Sequence, residues 1–168
     1  IILNSPSNPT GTVLSTKILE EIADIAVENE LIVLSDEAYE KFVFGKSRHI
    51  SMASLNGMQD HVLTFQSFSK SYAMPGFRIG YVAGHPELVH ILSKIHIYTS
   101  LAAATPNQYG AIAALEMKKS YVERMRKSYD ERRKLVLKRM KNLDTLHVEV
   151  EPEGAFYAFP RINEGPWP

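Results

Sequence analysis

Lys70 lies in the run Ser67-Phe68-Ser69-Lys70, eight residues before Arg78, with Asp36-Glu37-Ala38-Tyr39 upstream. A lysine amine can condense with an aldehyde to form a Schiff base. Serine hydroxyls and a nearby arginine supply donors for a phosphate dianion. A carboxylate closing a separate strand can pair with a pyridinium nitrogen, so that the ring stays protonated and accepts electrons from a breaking Cα bond. At an effective dielectric near 20, two such charges about 4 Å apart attract by about 4 kcal/mol. These residue types together describe a site for pyridoxal phosphate, provided that they converge.

Each residue also has an ordinary role. An isolated aspartate after a strand is usually a turn or helix-cap residue. A lone lysine is usually solvated, and a lone arginine is usually a surface ion-pair partner. Ser67 and Ser69 suit any loop. The grouping is what favours chemistry: Lys70 follows a buried strand between small hydroxyl residues, and Tyr39 stands three residues after Asp36, where its phenol can reach the same ligand. Asn8-Pro9-Thr10-Gly11 is a further marker within a stretch dense in turn formers. Only about 5% of X-Pro bonds in folded proteins are cis, so Ser5-Pro6 and Asn8-Pro9 are expected to be trans. Cis bonds there would aim the Asn8 amide at a ligand.

The bulk properties narrow the classes. A length of 168 residues suits one ordinary domain, and 45% hydrophobic with 23% charged residues is a globular composition. Nineteen basic residues balance nineteen acidic ones, so no global field draws the chain to nucleic acid or to an anionic membrane. Absence of cysteine excludes disulfides and thiolate metal sites, and the six histidines show no i,i+3 or i,i+4 pairing that suggests a metal. No apolar run approaches the roughly 18 residues that span a bilayer. Ile1-Ile2-Leu3 lacks the basic start of a signal peptide, which makes cytoplasmic residence the expectation. Both ends read as cut: the chain opens on an apolar strand-like run and stops on Glu164-Gly165-Pro166-Trp167-Pro168.

The elements that must position the candidate residues alternate. Ile1 to Leu3 reads as a buried strand, and Ser15 as the N-cap of a helix to about Glu28 with Ile18, Ile22, Ile25 and Ala26 on one face. Leu31 to Leu34 is a short apolar strand ending at Ser35-Asp36, which argues for a parallel sheet with crossover helices. In such sheets ligands bind at the carboxyl ends of the strands, where Asp36 lies. Further strands are expected at His61 to Phe65 and Arg78 to Ala83. Helices follow at about Pro86 to Tyr98, Pro106 to Lys118 and Tyr121 to Leu143. The last carries an apolar stripe at Val122, Met125, Tyr129, Val136, Met140 and Leu143. Its nine basic residues between Arg124 and Lys141 make nucleic-acid binding conceivable, but the stripe and zero net charge favour a solvated amphipathic helix. A strand pair at 147–150 and 155–159 closes the chain.

Five motifs stand in a telling order: Asn8-Pro9-Thr10-Gly11, Asp36-Glu37-Ala38-Tyr39, Ser67-Phe68-Ser69-Lys70, Pro75-Gly76-Phe77-Arg78-Ile79-Gly80 and Gly154-Ala155-Phe156-Tyr157. In that order the chain resembles the class I/II aminotransferases, fold-type I pyridoxal phosphate enzymes, over nearly its whole length. The resemblance implies that Lys70 holds the cofactor covalently and then moves the proton between Cα and C4′. It implies that Asp36 pairs with the pyridine nitrogen and that Tyr39 and Asn8 bond the phenolic oxygen, with Asn8 also reaching the substrate carboxylate. Ser67 and Arg78 would bind the phosphate, with Ser69 a further candidate. Gly154 to Tyr157 would be a small-domain strand of structural role.

The fold implied is α/β: residues 1–128 form part of a large domain, a partial and mostly parallel sheet with flanking helices. Residues 129–168 then begin a truncated small α+β domain. Family members are longer. Their N-terminal half carries the aromatic residue that stacks on the cofactor and a loop of phosphate donors, and their arginine for the substrate carboxylate would lie beyond Pro168. The chain therefore reads as an internal fragment with about four strands of a seven-stranded sheet. Amino-acid and 2-oxo-acid substrates and a homodimer are implied for the intact protein, with no metal, nucleic-acid or membrane partner. The same lysine would serve elimination in a lyase or synthase of this fold, or hold the cofactor in a non-catalytic sensor domain of a transcription regulator.

Overall fold

Three apolar runs that end in polar residues make the frame of the molecule. In the computed structural model, which describes residues 1–163, β1 (Ile2–Asn4), β2 (Val33–Asp36), β3 (Val62–Ser67) and β4 (Gly80–Gly84) form one sheet in that order. The first three strands are parallel and β4 is antiparallel to β3. Register sets Asn4 beside Asp36 and Asp36 beside Phe65, so the carboxyl ends of three strands share one rim. The α/β architecture and the mostly parallel sheet are those expected from the sequence.

Boundaries moved where local hydrogen bonds compete. Leu31 N donates to Ala26 O, 2.8 Å away, and Glu30 adopts φ 52. Leu31 and Ile32 thus complete the exit from α1 (Thr16–Glu28), and β2 begins two residues later than the apolar run. β3 runs on to Ser67 because Gln66 and Ser67 still pair with Tyr81 and Gly80. β4 starts after Arg78, which closes a 3-10 turn at Pro75–Phe77 with a left-handed φ of 48.

Ser15 caps α1 as expected, its hydroxyl accepting from Ile18 N at 3.4 Å. Of the expected face, Ala26 is fully buried and Ile22 packs against the core, but Ile18 and Ile25 do not. Leu19, Ala23 and Ala26 pack with Val33, Val62, Met52 and Met58, while Ile18 and Ile25 are exposed. Two alanines on the inner face let the helix approach the sheet closely, and full burial of Val33 and Val62 contributes about 1.5–3 kcal/mol each.

Helix α2 (Phe68–Ser71) is a single turn capped by Ser67. It sits against α4 (Thr105–Glu116) through Phe68, Ala111 and Ala114. Helix α3 (Pro86–Ser100) buries none of its residues. Helix α5 (Ser120–Met140) runs unbroken through Tyr129. Its Met125 and Tyr129 pack on a cluster of Tyr39, Phe42, Phe44 and Ala155. Leu137 is its buried residue, whereas Val136, expected in the stripe, is 38% exposed. Several of its basic residues are paired, with Arg126 on Glu123 and both Arg133 and Lys134 on Asp130.

The closing strand pair is not the one expected. β5 (Leu146–His147) pairs with β6 (Arg161–Ile162), and residues 155–159 form no strand. Ala155 has φ 55, which no β-strand tolerates, and the segment turns there. Its neighbours hold it in that turn. Glu153 N and Gly154 N both donate to Gly11 O at 2.8 Å, Phe44 N donates to Glu153 O, and Ala155 N donates to Phe42 O. Both X-Pro bonds of the 5–12 loop, Ser5-Pro6 and Asn8-Pro9, are cis, against expectation. A Cβ on Gly154 would lie 2.6 Å from Pro6 Cβ and 2.8 Å from Val13 Cγ2, so this loop and the 152–155 turn close on each other without room for a side chain.

Candidate active site

Asp36 ends β2 on the shared rim. Its Oδ1 accepts from Ala38 N at 3.1 Å, and its backbone carbonyl accepts from Ser5 N at 3.2 Å. Asn4 joins it to the loop before α1: Asn4 Nδ2 donates to Asp36 O, and Asn4 Oδ1 accepts from Asn8 N at 2.6 Å. Asn8 is exposed on that loop. An open cleft of about 440 Å³ lies along the rim, lined by Asp36, Ala38, Phe65 and Ser67 among others.

Lys70 rises from α2, half-buried. Its Nζ lies 5.5 Å from the ring centre of Tyr39 and 5.4 Å from that of Phe156. Tyr39 is buried, and its hydroxyl meets that of Tyr157 in a short hydrogen bond. Burial first, then Tyr157, then the charge of Asp36 push the Tyr39 phenol above its usual range. Phe156 packs edge-on against Tyr39 at 5.2 Å and stacks on Tyr129 of α5 at 5.0 Å. The lysine therefore stands over an aromatic floor built from two distant segments.

Ser67 Oγ accepts from Ser69 N at 3.2 Å, which opens α2 and directs Lys70. Ser67 pairs with Gly80, and Phe68 N donates to Ile79 O, so Arg78 emerges at the same end of the sheet. Arg78 is exposed, and its Nη1 donates to Pro75 O at 2.8 Å. Among the described residues, Asp36, Lys70 and Arg78 join no ion pair, although nine such pairs occur elsewhere.

The candidate residues thus fall into three groups. Lys70 and Tyr39 meet through their side chains, while Asp36 and Ser67 line one cleft. Asn8 and Arg78 reach the rim through their backbones, and no side-chain contact joins them to the others. The sequence reading missed Asn4, Phe156 and Tyr157. The motif Gly154-Ala155-Phe156-Tyr157 was visible, but it was expected to be a strand of structural role.

Glu37 was also visible and given no role. It is 2% exposed, and its carboxylate accepts from Ser35 Oγ, Ser51 Oγ and Met52 N and pairs with His49 Nε2 at 2.9 Å. Burial acts to raise its pKa, but the hydrogen bond and charge of His49, with Ser35 and Ser51, outweigh it and hold the carboxyl below its usual range. This network ties the end of β2 to the 49–52 segment.

An α/β sheet with a lysine-bearing turn beside its strand ends defines a class of ligand-binding folds. A family model described as aminotransferase class I and II matches residues 1–165. The chain belongs to that family. It is 48% identical over 166 residues to an aspartate aminotransferase of Pyrococcus abyssi and 45% identical to aromatic-amino-acid aminotransferase 2 of Thermococcus litoralis. Each match covers 98% of this chain and 42% of the relative. A crystal structure of an aromatic aminotransferase from Pyrococcus horikoshii superposes with a TM-score of 0.89 at 49% identity, over 96% of this chain and 43% of that one. The chain thus spans less than half the length of the curated relatives it matches.

Proposed function

We propose that the protein containing these residues is a pyridoxal phosphate-dependent aminotransferase that moves an amino group from an amino acid to a 2-oxo acid. The substrate class is aspartate, alanine or aromatic. The observation that carries this reading is the placement of Lys70, whose amine lies over the Tyr39 and Phe156 rings without an ionic partner among the described residues. The donor set fits the cofactor: an amine for its aldehyde, a strand-end carboxylate for its ring, and hydroxyls with an arginine for its phosphate.

When bound, the cofactor supplies an electron sink for the substrate's Cα bond. Lys70 would hold it covalently through its amine and would carry a proton at Nζ. Asp36 would face the ring nitrogen with the carboxylate oxygen not taken by Ala38 N. Tyr39 and Asn8 would bind the phenolic oxygen, with Asn8 on the loop that Asn4 ties to Asp36. Ser67, Ser69 and Arg78 would hold the phosphate. The aromatic floor excludes water from one side of the amine.

In the same reading, residues 1–128 belong to the cofactor-binding large domain and 129–168 begin a small one. The family resemblance further implies a cytoplasmic homodimer. The test is borohydride reduction of the intact, cofactor-loaded protein. Wild-type protein is expected to retain the cofactor covalently, and Lys70→Ala is expected to lose both that label and transamination. Persistent labelling of the variant would move the anchor to another lysine.

A further inference from the structure

The stretch between β1 and α1 has few backbone bonds to hold it, because Pro6 and Pro9 offer no N–H. Ser7 N donates to Thr12 O and Gly11 N to Ser7 O, both at 2.9 Å, which closes the loop on itself but leaves out Asn8. Among the described residues the Asn8 N–H has one partner, Asn4 Oδ1 at 2.6 Å. A backbone N–H only donates, so this contact fixes which end of the Asn4 amide faces Asn8. The Nδ2 end then faces Asp36 O, 3.4 Å away.

The two partners of Asn4 do not depend on it equally. Asp36 is held without it: β2 is paired on both sides, and Ser5 N also donates to the Asp36 carbonyl. Asn8 is exposed and makes no other hydrogen bond among the described residues. Asn4 is half-buried at the end of β1, in register with Asp36. Its side chain therefore carries the fixed position of a strand end across to a loop residue that nothing else ties down. An amide suits this task, since one planar group offers both an acceptor for Asn8 and a donor for Asp36.

We propose that Asn4 is a positioning residue: anchored on the Asp36 carbonyl, its amide holds the Asn8 backbone so that the Asn8 side chain meets the phenolic oxygen of the cofactor bound at Lys70. This inference rests on the proposed function and adds to it a residue that acts only through Asn8. Loss of the Asn4 amide leaves Asp36 in its strand and frees Asn8.

The test uses the intact, cofactor-loaded protein with Asn4→Ala, Asn8→Ala and the double variant. Asn4→Ser, whose hydroxyl ends one bond short of the amide oxygen, gives the same readouts should Asn4→Ala fail to fold. Four readouts are taken: Tm, cofactor affinity, the pH midpoint of the bound chromophore's absorbance, and kcat/KM. Asp36, Tyr39, Lys70, Arg78 and Tyr157, the titratable groups around the amine and the rim, are kept in every variant. A misplaced donor stabilises the deprotonated, more negative chromophore less, so Asn4→Ala should raise the midpoint by about half a pH unit and lower kcat/KM about threefold to tenfold. In the Asn8→Ala background the same substitution should change neither. A lower Tm with an unchanged midpoint, in protein that still binds cofactor, overturns the inference alone, because Asn4 would then only support the loop. Equal midpoint shifts in both backgrounds also overturn it, because Asn4 would then act independently of Asn8. Wild-type protein that shows no Lys70-dependent absorbance sinks the proposed function and this inference with it.

Discussion

Asp36 and Glu37 are neighbours in the chain, yet strand alternation sends them to opposite faces and opposite fates. Asp36 is half-buried on the cleft, with one carboxylate oxygen bonded to Ala38 N. Asp36→Asn removes a charge whose attraction for a pyridinium is about 4 kcal/mol, and turnover of the intact protein is expected to fall about a hundredfold to a thousandfold. Steady-state kcat measurements check this. Glu37 is saturated with donors, and Glu37→Gln should cost about 1–3 kcal/mol, read from denaturant midpoints. Folding lowers the Glu37 pKa below its ordinary 4.5, so its contribution is complete above that pH and is lost as pH falls through the folded value. The gap between wild type and Glu37→Gln should therefore narrow below about pH 4.5. The sequence marked Asp36 by its place at a strand end. It was silent on the Glu37–His49 pair, because those partners sit on a loop with no periodicity to place them.

The same contrast holds for elements. α1 was legible from its cap and period, but its inward face only in part: Ile22 and Ala26 pack inward, while Ile18 and Ile25, more apolar than Ala23, do not. Close helix–sheet contact selects small residues, a tertiary requirement that hydrophobicity does not reveal. Residues 155–159 are expected as a strand but open on a turn at Ala155-Phe156 and form no strand, because Gly154 is wedged against Pro6 and Val13 and Ala155 is held at φ 55. Gly154→Ala is expected to destabilise the fold by about 1–3 kcal/mol through overpacking, seen as a lower Tm. It should also loosen the Tyr39–Tyr157 contact, because the turn that presents Tyr157 must shift.

On the scale of the molecule, apolar surface outruns what the chain can cover. α3 buries nothing, Ile91, Ile95 and Tyr98 are 54%, 57% and 91% exposed, and Ile2 on the edge strand is 78% exposed. Exposure along one helix face, as at Ile91, Ile95 and Tyr98, marks a surface that meets other protein. A polypeptide limited to these 168 residues is therefore expected neither to hold pyridoxal phosphate tightly nor to transaminate. Equilibrium dialysis with the cofactor and an assay with amino and 2-oxo acids check this; any turnover contradicts it.

The sequence by itself determined the mostly parallel α/β frame and the capped first helix, and it marked the lysine, aspartate and tyrosine of the proposed site. Those features depend on local period, on short turns and on residue chemistry, all of which are written within a few neighbouring positions. Only the tertiary structure decided that Phe156 stands beside Lys70, that Tyr157 meets Tyr39 and that Glu37 closes on His49. The first two depend on the packing of the 5–12 loop, the 42–44 segment and α5 around Gly154, and the third on the 49–52 segment folding back over β2; neither convergence has a local signature.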